Sequence, residues 1–156
     1  MAEGEGLSGH ARGPVTAALV PELDVSDLAR SLAFYVGVLG FSVAFERPEE
    51  GFAYIRRGDA ELMLEAAAGP GRRFRTAPLE RPFGRGVNLQ IAVADVRALH
   101  DRVILAGLSP LIALEERWYR RAEMETGLRQ FVLVDPDGYL LRFAQALGER
   151  PTSSTE

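Results

Sequence analysis

The side chains most able to do chemistry in this sequence are suited to gripping a molecule rather than cutting one. There is no cysteine, and the only histidines are His10 and His100. The missing thiol rules out disulfides, thiol catalysis, iron–sulfur clusters and Cys-ligated zinc, and it fits a reducing cytoplasm. His10 lies in a polar, Gly-rich stretch and His100 among charged neighbours of a predicted helix, so both read as solvated. Glu22, Glu61 and Glu65 fall on predicted strands, where carboxylates alone also read as solvated. Trp118 and Tyr119 offer a different chemistry. They adjoin each other among Arg117, Arg120 and Arg121 on a polar segment read as irregular, where rings are less easily explained as core. Phe52 and Tyr54 alternate on one predicted strand and Asn88 and Gln90 on another, which puts each pair on a single face. Stacking, apolar contact and amide hydrogen bonds are what such a set can supply.

The elements that must position these residues follow from periodicity and punctuation. Val15 to Val25 is strand-like, and Ser26 or Asp27 caps the helix LARSLAFYVGVL. Its Leu28, Leu32, Tyr35, Val36 and Leu39 share one face, so Phe34-Tyr35 reads mainly as core, and Gly40 ends the helix. The strand FSVAFE follows, then GFAYIRR and AELMLEA joined at Gly58-Asp59, a hairpin signal. A stretch rich in Gly, Pro and Arg comes next and reads as a linker, with Phe74 and Phe83 as candidate rim residues. The pattern then begins again. VNLQIAV is a strand, Asp95 a cap, VRALHDRVILA a helix and Gly107 its stop. LSPLIALEE is a strand, a longer polar piece follows, and RQFVLV and YLLRFAQ flank the turn Asp135-Pro136-Asp137-Gly138.

Val25-Ser26-Asp27 corresponds to Val93-Ala94-Asp95 at a spacing of 68 residues, and the helix-ending glycines repeat at 67. The closing strands repeat at 79, which places an insertion of about a dozen residues between Leu114 and Asp135. The fold expected is α+β, with two tandem βαβββ modules forming a curved mixed sheet around a cleft. The boundaries are a disordered tail over 1–14, a first module over 15–68, a linker over 69–85, a second module over 86–147 and a disordered tail over 148–156. Neither module can bury its sheet alone, so the two must pair.

Composition limits the partners. At 156 residues and 47% hydrophobic, the chain suffices for one well-buried core. No apolar run approaches the roughly 20 residues of a membrane span, and the N-terminal segment lacks a signal-peptide core. A net charge of −4 weighs against nucleic acid, whose phosphates call for a basic surface.

The Asp-capped repeat, the Phe34-Tyr35 pair and the Asp-Pro-Asp-Gly turn together resemble the vicinal-oxygen-chelate superfamily, which includes glyoxalase I, extradiol dioxygenases, fosfomycin-resistance transferases and bleomycin-resistance proteins. The stretches that carry the resemblance are VPELDVSDLARSLAFYVGVLGF, YIRRGDAELMLEA, VNLQIAVADV and FVLVDPDGYLLRFAQ, within residues 15–147. The resemblance implies four inward positions where the enzymes hold a divalent metal with His or Glu. By register these positions hold Val20, Met63, Asn88 and Arg142. Val and Met are apolar, Asn is a poor ligand alone, and Arg is a fixed cation that repels a metal. No metal or other cofactor is therefore expected.

Among the relatives the sequence looks most like the bleomycin-resistance proteins. That likeness implies a cytoplasmic homodimer with the drug in clefts at its interface, and Pro21 matches a proline those proteins carry where the first strand passes to the partner. The function expected is sequestration of bleomycin or a related aromatic antibiotic without chemical modification. Trp118, Tyr119, Asn88, Gln90, Phe52, Tyr54, Arg142 and Met63 are the expected ligand contacts, with no catalytic residue. Arg142 reads either as one half of an ion pair or as a recognition group for an anion or carbonyl. The alternatives are a lyase or isomerase of the same superfamily acting on a small substrate, and a binding module of regulatory purpose.

Overall fold

Two aspartates start the helices as their spacing predicts. In the computed structural model, which describes residues 17–153, Asp27 Oδ1 accepts from the Arg30 amide and Asp95 Oδ1 from the Ala98 amide, each at 3.1 Å. These bonds satisfy donors that a first helical turn otherwise leaves open. Helix α1 (Leu28–Leu32) continues into a wider π-type turn over Ala33–Val38, and α2 spans Val96–Leu105. Both helices hand over to glycines in the left-handed region, Gly40 and Gly107, each at φ 79°. The expected N-terminal tail, with His10, lies outside the described residues.

Each module builds its own four-stranded mixed sheet with the same plan. The first contains β1 (Glu22–Val25), β2 (Ser42–Arg47), β3 (Phe52–Arg57) and β4 (Ala60–Ala66) in the order β1-β4-β3-β2. The second contains β5 (Asn88–Ala92), β6 (Ile112–Arg121), β7 (Met124–Val134) and β8 (Leu140–Pro151) in the order β5-β8-β7-β6. The first and last strands of each module run parallel and the remaining pairs antiparallel.

Three boundaries differ from the sequence reading. Strand β1 begins at Glu22 rather than Val15, because Pro21 has no amide hydrogen to give and contributes only its carbonyl, to Met63 N. The polar piece taken as an irregular insertion is the far half of a long β6–β7 hairpin that turns at Ala122-Glu123. Strand β8 runs on to Pro151, four residues past the expected module end at 147, because Glu149–Pro151 pairs with the extended end of β7.

The core is continuous across both modules. Tyr35, Leu39 and Leu64 of the first join Leu99, Phe131 and Phe143 of the second in one apolar cluster. The Asp-Pro-Asp-Gly turn pins the modules together with buried carboxylates. Asp135 Oδ1 accepts from the amides of Asp137, Gly138 and Tyr139, each at 2.9 Å, and its Oδ2 accepts from the Tyr35 hydroxyl at 2.8 Å. Asp137 Oδ2 takes the Ser26 amide, and Tyr139 donates to the Asp24 carbonyl. Phe34 and Tyr35 are core, as their helical spacing predicts.

Candidate functional site

The β6–β7 hairpin and the starts of β5 and β8 border a pocket of ≈ 460 Å³ on the second sheet. That volume is within the usual range for small-molecule sites. Its walls are apolar where Leu111, Ile112, Val132 and Leu140 meet, and polar where Asn88, Glu115, Tyr119, Gln130 and Arg142 enter. Register explains the convergence. Glu115 lies opposite Gln130, Val132 opposite Arg142, and Arg142 opposite Gln90, so alternate residues of neighbouring strands share one face.

Gln130 organises the polar side. It is buried, and its Nε2 donates to the Tyr119 hydroxyl at 2.7 Å and to Glu115 Oε1 at 3.3 Å. Glu115 accepts only, so it fixes which end of the amide is the nitrogen. The other end, Gln130 Oε1, is buried with no hydrogen-bond partner. Arg142 Nε is likewise buried without one, and among the described residues Arg142 makes no ion pair. Tyr119, having accepted from Gln130, keeps its own proton to donate, and its ring remains 41% exposed.

Trp118 borders the same pocket but belongs mostly to the opposite face of β6. Its ring lies so close to Gly127, its partner on β7, that a Cβ there would sit 2.6 Å from Cη2. The Arg150 guanidinium covers the ring at 3.9 Å from its centroid and is held in turn by Glu125 at 2.8 Å. The adjacent rings therefore divide the work. Tyr119 faces the cavity, while Trp118 is clamped by its own hairpin.

The remaining predicted contacts lie elsewhere. Gln90 shares the face of Arg142, its register partner, but is exposed and borders the neighbouring groove beside the Gly58-Asp59 turn rather than the pocket. Phe52 and Tyr54 share a face, as alternation predicts, but they are only 4% and 2% exposed on the first sheet. Tyr54 stacks on Phe45 and donates to Glu61, and Arg47 covers Phe52. Met63 lies between Tyr54 and Glu22 in register, on that same sheet. No first-module residue lines the pocket that holds Asn88, Tyr119 and Arg142. Phe74 and Phe83 line a larger groove of ≈ 640 Å³ along the linker, whose charged groups are already paired as Arg75–Asp24 and Arg85–Glu80.

The carboxylates of the first sheet correct the sequence reading. Glu61 and Glu65 are buried rather than solvated, 4% and 5% exposed. Glu65 lies under Gly71 of the linker, and Glu61 takes the Ala17 amide as well as the Tyr54 hydroxyl. The Glu22 carboxyl is pushed up to about 7 by desolvation, then by its hydrogen bond to Glu65 and that group's like charge. His100 is half-buried, edge-on to Phe131, rather than freely solvated. Among the described residues no three His, Asp or Glu side chains group to hold a metal ion. Val20, Met63, Asn88 and Arg142 do not fit one either, since Val20 offers no donor atom, Met63 only a thioether, and Arg142 is a fixed cation. Sequence reasoning missed Gln130 and Glu115. The signal for Gln130 was an amide opening the apolar run QFVLV, on the inward side only if the hairpin's register is known.

The family model described as "Glyoxalase/Bleomycin resistance protein/Dioxygenase superfamily" matches residues 17–143. A bleomycin resistance protein from Geobacillus stearothermophilus is 27% identical over 135 residues, covering 82% of this chain and 96% of its own. Among solved structures, TioX from Micromonospora sp. ML1 superposes with a TM-score of 0.64 at 23% identity, covering 85% of this chain and 100% of that one. TnmS3, an antibiotic binding protein from Streptomyces sp. CB03234, gives 0.60 at 21%, covering 86% and 99%.

Proposed function

The chain belongs to the glyoxalase/bleomycin resistance protein/dioxygenase superfamily, and on that premise we propose that it sequesters bleomycin or a related aromatic antibiotic without changing it chemically. The observation that carries this reading is the second-sheet pocket, with apolar walls and a few converging polar groups from Tyr119, Gln130 and Arg142. Such a surface suits a flat, partly polar guest. The bleomycin resistance relatives and the antibiotic-binding structural neighbour support the same class of ligand. Two copies of the chain are part of the proposal, as the likeness to the bleomycin-resistance proteins implies.

Titration of the purified chain with bleomycin and with planar aromatic antibiotics tests it, with Trp118 at the pocket border as the fluorescent reporter. Saturable quenching at one ligand per pocket and recovery of the ligand at unchanged mass are expected. A flat titration with every compound overturns the proposal. A second reading, lyase or isomerase chemistry, has one observation in its favour. Glu22 and Glu65 meet on the first sheet, and their contact together with desolvation raises the Glu22 carboxyl to about 7, in the range acid–base chemistry uses. A changed ligand mass would decide for that reading.

A further inference from the structure

The pocket also constrains the chemistry of its occupant. Arg47, Arg75, Arg81, Arg129 and Arg150 each meet a carboxylate. Arg142 does not, although it is half-buried and its Nε–H is cut off from water. Its guanidinium enters the pocket lining without an anion of its own, so a ligand oxygen that meets its accessible end supplies the missing partner. Gln130 lines the same pocket from the neighbouring strand and anchors the Tyr119 hydroxyl there. Residues diagonal across a strand pair, as Gln130 and Arg142 are, come within reach of one small group.

The remaining charges do not compensate Arg142. Glu115 is the one carboxylate among the lining residues, and it is engaged by Arg117 at 3.3 Å and by Gln130. The lining therefore carries two guanidinium groups and one carboxylate. A cationic guest such as bleomycin itself would meet an unbalanced positive charge there, whereas an anionic oxygen of a related aromatic antibiotic would meet a charge-assisted donor.

Resting on the binding function proposed above, we propose that the pocket is selective for aromatic ligands bearing an acidic oxygen, such as a carboxylate, enolate or phenolate. That oxygen is taken by the Arg142 guanidinium.

Three naphthalene probes that differ only in their polar group test this on the full chain: 2-naphthoate, neutral 2-naphthamide and cationic 2-naphthylmethylammonium. Calorimetric titration is expected to rank naphthoate first, about tenfold tighter than the ammonium. Arg142→Met is expected to bring the two within about twofold, leaving the amide nearly unchanged. Weakening of naphthoate binding with salt, measured on the wild-type chain, gives the same answer should the variant fold poorly. Equal binding of all three probes, or preference for the ammonium, overturns the selectivity while leaving an aromatic-binding pocket in place. Failure of every probe to bind up to about 5 mM overturns both.

Discussion

Gln130 gives its amide hydrogen to the Tyr119 hydroxyl at 2.7 Å while its own carbonyl oxygen points at nothing. A buried amide satisfied at one end only is a poor stabiliser, because the unmet end keeps its desolvation penalty. Gln130→Met, which keeps the length and removes both polar ends, is therefore expected to change stability by no more than about 1 kcal/mol. Ligand affinity should fall several-fold in the same variant, because the pocket-facing Tyr119 loses its anchor. Thermal melting beside ligand titration checks this. A large loss of stability with unchanged binding would make Gln130 a purely structural residue.

Tyr35 and Asp135 pose the opposite case, a buried pair in which both members are used. Tyr35→Phe removes the donor to Asp135 Oδ2 and leaves one lone-pair region of a buried carboxylate unmet. A loss of about 1–3 kcal/mol is expected, read from chemical denaturation at neutral pH. Desolvation already raises the Asp135 carboxyl, and the Tyr35 hydrogen bond opposes that rise. The Phe variant should accordingly hold Asp135 protonated to still higher pH and lose less stability in mild acid than at neutrality.

The parts of this fold that were legible in the sequence are those with local punctuation. Asp27, Asp95, Gly40, Gly107 and the Asp-Pro-Asp-Gly turn each act through bonds or backbone angles within a few residues, so the repeat could be read from them. The β6–β7 hairpin offered no such mark. It turns at Ala122-Glu123, with Ala122 itself at φ 55°, where Asn or Gly would have signalled a turn. The outer half of β6 puts one aromatic ring among arginines on each face, so no alternation of polar and apolar residues betrayed the strand. The burial of Glu61 and Glu65 was hidden for another reason. The residues that cover them, Ala17 and Gly71, come from outside the strands that carry them.

Glu22 gives the fold a predictable pH dependence. Its folded value of about 7 lies above the ordinary 4.5, so between these values the folded chain holds more proton than the unfolded one. A group raised in this way favours folding most below 4.5, and its contribution is lost as pH rises to about 7. Wild-type melting temperature should therefore carry a component that declines across that window. Glu22→Gln, which cannot ionise, should remove that component and melt higher than wild type at pH 8 by relieving the repulsion with Glu65. Parallel melting curves for the two proteins at every pH would show that Glu22 and Glu65 do not interact in solution.

Gly127 and Trp118 make the site's geometry testable without touching a pocket-facing side chain. The indole occupies the space a β-carbon at position 127 would need, with Cη2, Cζ3 and Cζ2 at 2.6, 2.7 and 2.8 Å. These are rigid ring atoms between Gly127 and the Arg150 guanidinium, so Gly127→Ala must tilt the ring or separate β6 from β7. A cost of about 1–3 kcal/mol is expected from such overpacking. The displacement should appear as a changed near-ultraviolet dichroism of Trp118, the only tryptophan in the chain. Ligand binding should weaken with it, because Tyr119 follows Trp118 on the same strand and its hydroxyl must still meet Gln130. Arg150→Met removes only the cation above the ring and is expected to cost about 0.5–1 kcal/mol with binding preserved. If both variants weakened binding equally, the indole face itself, rather than the strand geometry it enforces, would be the ligand contact.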